Sequence, residues 1–358
     1  MDLTELSPAL RNAFANGLVI PAHPLALDDQ RHLDERYQRA LTRYYLDAGA
    51  GGLAVGVHST QLAIRDPEIG LYRPVLELAA ETTRAWSDSS KHNVMLIAGV
   101  CGDTDQALEE SALALELGYH AALLSLAAFR ETPLTEVLAH CKRIAEVMPL
   151  VGFYMQPSVG GTLLPYAFWR EFAEIENVIG IKMAPFNRYQ TLDVVRAVAE
   201  AGVGDRVALY TGNDDNIVAD LLTPYPLVTT HGPCAPRIVG GLLGHWAVWT
   251  RQAVALLEKI RTVRTAGTTV PTDLLATGIA ITDANAAFFD AANRFAGCIP
   301  GIHEVLRRQG LMTNIVCLNP EETLSPGQAE EIDRVIRSYP ELNDDAFVHE
   351  NRDRWLTP

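Results

Sequence analysis

Eight short apolar segments alternate with helix-period stretches along the first 250 or so residues of this 358-residue chain, and that alternation limits the fold more than any other feature. The strand candidates are Gly17–Ile20, Gly52–Val57, Val94–Val100, Ala121–Leu126, Leu150–Tyr154, Val178–Met183, Val207–Thr211 and Pro226–Thr230. Between them apolar residues recur at helical spacing, as in Leu33…Tyr37…Leu41…Tyr44-Tyr45 and Ala107-Leu108…Ala112…Leu115. Helix boundaries agree: Asp103-Thr104-Asp105 opens one, Thr132-Pro133 opens another and Leu117-Gly118 closes one. Such a repeat predicts a (β/α)8 barrel. A doubly wound sheet is the competitor, but no G-x-G-x-x-G follows the first strand.

Past residue 250 the pattern changes. Arg251–Arg264, Asp283–Phe295, Ile302–Gln309 and Pro326–Ser338 read as helices without strands between them. The expected organisation is a barrel over residues 1–250 and a helical extension over 251–358, packed on the barrel and ending in a polar tail.

Composition narrows the partners. A chain that is 48% hydrophobic and 20% charged has the profile of a soluble enzyme with a sizeable core. The net charge of -15 argues against nucleic acid or an anionic membrane surface. Five scattered cysteines without a C-x-x-C pair predict neither a disulfide framework nor a zinc knuckle, and a reducing cytoplasm is the default. Met1-Asp2-Leu3-Thr4-Glu5 shows no basic stretch leading into an apolar core, so no signal peptide is expected, and no apolar run is long enough to span a bilayer.

In a barrel, chemistry sits where the strands end. The sixth strand, Val178-Ile179-Gly180-Ile181-Lys182-Met183, is a fully apolar run that delivers a lysine. Lysine is seldom buried, so Lys182 is either at the strand's wet end or chemically used. An ordinary lysine has a pKa near 10.4, so about one amine in a few thousand is neutral at pH 7; a drop of roughly three units makes a Schiff-base nucleophile. Other strand ends bring Pro21-Ala22-His23, Gly56-Val57-His58-Ser59-Thr60-Gln61, Tyr154-Met155-Gln156-Pro157, Tyr210-Thr211-Gly212-Asn213-Asp214-Asp215 and Thr229-Thr230-His231-Gly232.

Tyr154-x-x-Pro157, followed by Pro165…Phe168…Phe172-Ala173 and Asn177-Val178-Ile179-Gly180-Ile181-Lys182, resembles the dihydrodipicolinate synthase / N-acetylneuraminate lyase family of class I, Schiff-base-forming lyases and aldolases. Ile97-Ala98-Gly99-Val100, Tyr210-Thr211-Gly212-Asn213-Asp214 and Pro300…Val305-Leu306…Gly310-Leu311 add to the resemblance, which spans most of the chain. It implies that Lys182 forms an imine with a pyruvate-like 2-oxo acid or 2-oxo-3-deoxy sugar acid. Tyr154 would relay protons, Ser59 and His58 would hold the carboxylate, and Gly212, Asp214, Asp215 and Thr230 would hold the rest of the substrate. No metal and no organic cofactor is implied, and a cytoplasmic homo-oligomer (dimer or tetramer) is.

Departures from the family pattern narrow this picture. The family's G-T-T-G-E appears as Val57-His58-Ser59-Thr60-Gln61, so His58 is either a carboxylate donor or a loop histidine packed on Tyr154. Ser158-Val159-Gly160-Gly161 lacks the arginine of a true dihydrodipicolinate synthase and resembles the sugar-acid branch; Ala184 lacks a hydroxyl often found on the sialic-acid branch. Ala127-Ala128-Phe129 replaces the family's inter-subunit tyrosine. Asp214 and Asp215 either bind a polyol chain or cap the next helix. Two other readings stay open: a metal-dependent barrel lyase or hydrolase built on His23, His58, His231 and Asp214, and a non-catalytic binder of a small acid.

Overall fold

The computed structural model describes residues 1–2, 5–90, 93–267 and 269–357; Leu3 and Thr4, in the stretch read for a leader, lie outside the described residues. Its strands in chain order are β1 (Val19–Pro21), β2 (Gly52–Val55), β3 (Met95–Val100), β4 (Ala121–Leu124), β5 (Leu150–Met155), β6 (Val178–Ala184), β7 (Ala208–Thr211), β8 (Leu227–Thr229), β9 (Gly232–Cys234) and β10 (Ile238–Leu243). β1 to β7 and β10 are each followed by a helix, and the fold is a (β/α)8 barrel with C-terminal helices.

The chain divides into two compact units: residues 1–18 with 95–242, and residues 19–94 with 243–358. This grouping cuts across the expected 1–250 and 251–358 division. The helix Thr250–Ala266, placed by sequence in the extension, directly follows β10 as that strand's own helix.

In the first unit, β3, β4, β5, β6, β7 and β10 pair in that order, all parallel. Their near-continuous burial explains the unbroken apolar runs. The helix Thr104–Glu116 begins at Asp103, whose carboxylate accepts from the Gln106 N–H at 3.0 Å, as its sequence suggested. The N-terminal helix Pro8–Ala15 supplies Phe14, which stacks on Tyr210 with ring centroids 4.6 Å apart. Gly180 has no side chain because a Cβ there would meet the Phe14 ring and the Ala208 carbonyl at 3.0 Å.

One strand expectation fails. Pro226–Thr230 is not a barrel strand: β8 and β9 form an antiparallel hairpin in which Val228 is 84% exposed. The eighth parallel strand is β10, whose Gly240 and Gly241 interrupt the β-branched run that pattern reading looks for.

The second unit holds β1 and β2 and the C-terminal helices Thr272–Phe288, Cys298–Arg308, Gln328–Ser338 and Asp345–Trp355. The expected polar tail is a docked helix: Trp355 is fully buried, its indole N–H donates to Asp47 at 2.6 Å, and its ring packs edge-on against Tyr44. All five cysteines lie outside disulfides. Among the described residues no helix is long and apolar enough to cross a membrane.

Candidate active site

Side chains alternate across a strand, so register decides which residues share a face. In the first unit Phe153, Lys182 and Tyr210 are in register on β5, β6 and β7. A Cβ built on Gly212 would meet Lys182 Cε at 2.6 Å and Ala184 Cβ at 2.9 Å, so Gly212 joins that face, and its missing side chain is the space the lysine stem occupies. The opposite face looks to the helices: a Cβ on Gly152 would strike Phe172 and Trp169 of the helix Tyr166–Glu174.

Lys182 is 7% exposed. Its Nζ lies 4.2 Å from the centroid of the Phe153 ring, a cation–π contact. Burial lowers its pKa from 10.5 to about 8, against the charge of Asp214, which raises it. Of the two placements the sequence left open, the structure takes the one away from solvent, within an apolar strand.

Tyr154 does not join it. It pairs in register with Met183, one residue past Lys182, and its ring packs against Trp169 with centroids 5.1 Å apart on the helix-covered face. Burial raises the phenol's pKa, partly offset by a hydrogen bond to the Leu164 backbone. The residue beside the lysine is Phe153, which carries no hydroxyl. The motif spacing to Pro157 does not report pleat, and the structure does not bring Tyr154 together with Lys182.

Asp214 is buried, at 5% exposure, in the loop after β7. That loop is held by a carboxylate the sequence reading passed over. Asp220 ion-pairs with Arg188, accepts from the Thr211 hydroxyl at 2.6 Å and the Asn213 amide at 3.0 Å, and takes a further 3.0 Å bond from Asn216. Asn213 in turn accepts from the Phe186 N–H at 3.0 Å, tying the loop after β6 to the loop after β7. The signal for Asp220 was available as an acidic residue on the inner side of a short helix, Ile217–Leu222, where an unpaired carboxylate is costly. Asn216, not Asp214 or Asp215, is that helix's N-cap. Asp215 is exposed, and desolvation and Asp220 raise its pKa against the lowering pull of Arg188.

Thr230 is at the wrong end of the unit. It is exposed in the β8–β9 turn, beside His231, which lies against Gly202 at the C-terminus of the helix Arg188–Ala201. That helix starts just after β6 delivers Lys182 and runs 14 residues, about 21 Å, away from it. The structure thus does not bring Thr230 together with Lys182.

The second unit carries the loop after β2. Ser59 is buried and its hydroxyl donates to the Ala22 carbonyl at 2.9 Å. Thr60 donates to the His23 carbonyl at 2.7 Å and accepts from the Gly56 and Val57 N–H groups at 3.0 and 3.2 Å. His58 opens the short helical turn His58–Thr60 and is half-buried. His23 is a core histidine: its ring nitrogens lie 2.8 Å from the Pro24 carbonyl and 2.9 Å from the Thr42 hydroxyl, and burial lowers its pKa to about 4. Among the described residues no group of three or more His, Cys, Asp or Glu side chains is placed to hold a metal ion, so the metal reading lacks a ligand set.

Comparison with known proteins places these observations. The model of the dihydrodipicolinate synthetase family matches residues 16–224. The 4-hydroxy-tetrahydrodipicolinate synthase of Halorhodospira halophila is 25% identical over 209 residues, 57% of this chain and 64% of that one. The enzyme of the same name from Clostridium perfringens is 32% identical over 127 residues, 35% and 42% of the two chains. The matched region thus spans less than two thirds of these curated relatives. Two solved structures are similar in fold. The dihydrodipicolinate synthase of Oceanobacillus iheyensis has a TM-score of 0.71 at 16% identity, covering 93% of this chain and 99% of that one. The N-acetylneuraminate lyase of Fusobacterium nucleatum complexed with pyruvate has a TM-score of 0.69 at 18% identity, covering 92% and 99%.

Proposed function

This chain belongs to the dihydrodipicolinate synthetase family, and from that premise we propose that it is a lyase or aldolase that binds a small 2-oxo acid as an imine on Lys182. The family is one of Schiff-base-forming, pyruvate-dependent aldolases and lyases. The observation that carries the reading for this member is the state of Lys182: buried, within β6 two residues before its last, with its pKa lowered to about 8. At pH 7 that makes about a tenth of the amines neutral, some hundreds of times more than for an unperturbed lysine. A neutral amine attacks the keto carbon; the resulting imine draws electrons from a neighbouring C–C or C–O bond, so one site serves retro-aldol cleavage or dehydration.

Asp214 and Asp215 are the carboxylates this reading sets around the substrate, the buried Asp214 toward the keto carbon and the exposed Asp215 toward the part beyond it. Two carboxylates suit hydroxyls, so a 2-oxo-3-deoxy sugar acid fits better than a second carboxylate. Tyr154, Thr230, Ser59 and His58 receive no role. The homo-oligomer belongs to the same proposal; Phe129, in the place of the family's inter-subunit tyrosine, packs on His140 of its own chain with ring centroids 4.4 Å apart.

The test is borohydride reduction in the presence of pyruvate, followed by intact and peptide mass spectrometry. A stable adduct on the peptide carrying Lys182, missing from Lys182→Ala, is expected. No adduct across a panel of 2-oxo acids overturns the assignment. Adduct formation should rise with pH and level off above about 8, the pKa of the buried amine.

A further inference from the structure

Imine chemistry needs a group that moves protons, and among the described residues of β5, β6 and β7 the face carrying Lys182 has each phenol committed elsewhere or replaced. Phe153, in register with Lys182 and with its ring 4.2 Å from the amine, has no hydroxyl. Tyr154 is on the other face. Tyr210 shares the lysine's face, but its hydroxyl donates to the Phe14 carbonyl at 2.7 Å. Thr211 donates to Asp220, which is itself ion-paired with Arg188. Asp214, in the loop that leaves β7, is an ionisable group that is both buried and within electrostatic reach of the amine.

Backbone geometry brings its loop to the lysine. The Gly212 main chain lies against the lysine stem, and its N–H donates to the Met183 carbonyl at 2.7 Å, so the chain leaving β7 follows the chain leaving β6. Asp214 comes two residues later, with Asn213 before it and Asn216 after it pinned to Asp220.

We propose that Asp214 is the proton-transfer residue of this site, doing with a carboxylate what a phenol beside the lysine would otherwise do. The inference rests on the imine reading above. The amine's lone pair forms the C–N bond while the carbonyl π pair moves to oxygen. The N–H proton passes to the Asp214 carboxylate and on to that oxygen, giving the carbinolamine. The C–O bond then breaks as nitrogen's lone pair forms C=N, and a proton from solvent, relayed through Asp214, lets the oxygen leave as water. Nothing is oxidised or reduced.

The role is separable from mere electrostatics. Asp214 holds the lysine's pKa up, so Asp214→Asn moves the pH midpoint of adduct formation downward whatever else the carboxylate does. A carboxylate acting only through its charge leaves the high-pH plateau rate unchanged in that variant. A proton-transfer group lowers the plateau roughly 100-fold or more.

The experiment measures the rate of pyruvate adduct trapping against pH for wild type, Asp214→Asn, Asp214→Ala and Tyr154→Phe, and the exchange of pyruvate methyl protons in D2O by NMR. Expected are a lowered midpoint with a lowered plateau in Asp214→Asn, loss of exchange, and partial rescue of Asp214→Ala by added formate. The rescue keeps the test decisive if the Asn variant is unstable. A wild-type plateau in Asp214→Asn, or no rescue of a folded Asp214→Ala, overturns the role. Absence of the wild-type adduct instead overturns the underlying imine reading, a different and earlier failure.

Discussion

The loops after β2 and after β7 look alike as sequence, each a run of small and polar residues at a strand end, yet they spend their polar atoms differently. In Gly56–Gln61 the hydroxyls turn inward on their own unit's backbone: Ser59 to Ala22, Thr60 to His23, and the Gln61 side-chain carbonyl to the Leu318 N–H at 2.6 Å. In Thr211–Asn216 the hydrogen bonds converge on Asp220, below the loop, and fix the residues on either side of Asp214. One loop uses its functional groups to hold itself. The other is held through a buried carboxylate, and a second, Asp214, lies two residues past the glycine that rests on the lysine stem. Polar composition at a strand end is therefore no guide to chemistry until the backbone's own demands have been met.

The contrast is sharpest at Asp220. Asp220→Ala removes an ion pair and three hydrogen bonds at once, so a loss of about 4 kcal/mol in unfolding free energy is expected by chemical denaturation. The adduct rate at Lys182 should fall with it, because Asp214 loses its support. A variant that keeps full stability would show that the network is ornamental and the comparison empty.

Lys182 carries a stability cost of its own. A folded-state pKa of about 8 against 10.5 corresponds to about 3 kcal/mol at 1.36 kcal/mol per unit. Below pH 8 both the folded and unfolded lysine are protonated and the full cost of burying the cation is felt. Between 8 and 10.5 the unfolded chain binds the extra proton, so wild-type stability rises with pH through that window. Lys182→Met should therefore be the more stable protein at pH 7, with the gap in melting temperature closing as pH rises. A gap that stays constant with pH would deny the buried-cation account. In the other loop, Ser59→Ala should cost about 1.5 kcal/mol for the lost hydrogen bond and leave adduct formation within about tenfold of wild type; a larger loss of rate would return Ser59 to the chemistry.

Much of this was legible beforehand, for reasons the particular residues make plain. Strands buried on both faces, such as Val178–Ala184 and Met95–Val100, advertise themselves by long apolar runs, and Lys182 stood out as the charged residue inside one. The Asp103 cap and the Gly118 turn obey local rules that need no tertiary context. What failed depended on non-local facts. The hairpin Leu227–Cys234 reads like a strand because Leu227 and Val228 are apolar, yet nothing local says that Val228 points to solvent. The true last strand, Ile238–Leu243, was hidden by its paired glycines, where a Cβ on Gly240 would collide with the Leu18 backbone at 2.5 Å. Asp220 offered only a local signal, an acidic residue on the inner side of a short helix, and its weight lies in partners up to 32 residues away.

The smallest expected effect is the one that tests the register itself. Tyr154→Phe removes a hydroxyl that lies on the helix-covered face of β5, where its ring rests on Trp169 and its oxygen meets the Leu164 backbone. The ring packing survives the change, so the cost should be near 1 kcal/mol, the worth of one buried hydrogen bond. The rate of pyruvate adduct formation should stay within about threefold of wild type, since loss of a working proton relay costs roughly 100-fold or more. Those two magnitudes are far enough apart that a single trapping time course decides between them. A hundredfold loss would mean that β5 is shifted by one residue, with Tyr154 rather than Phe153 beside the lysine, and Asp214 would then surrender the proton-transfer role to the phenol.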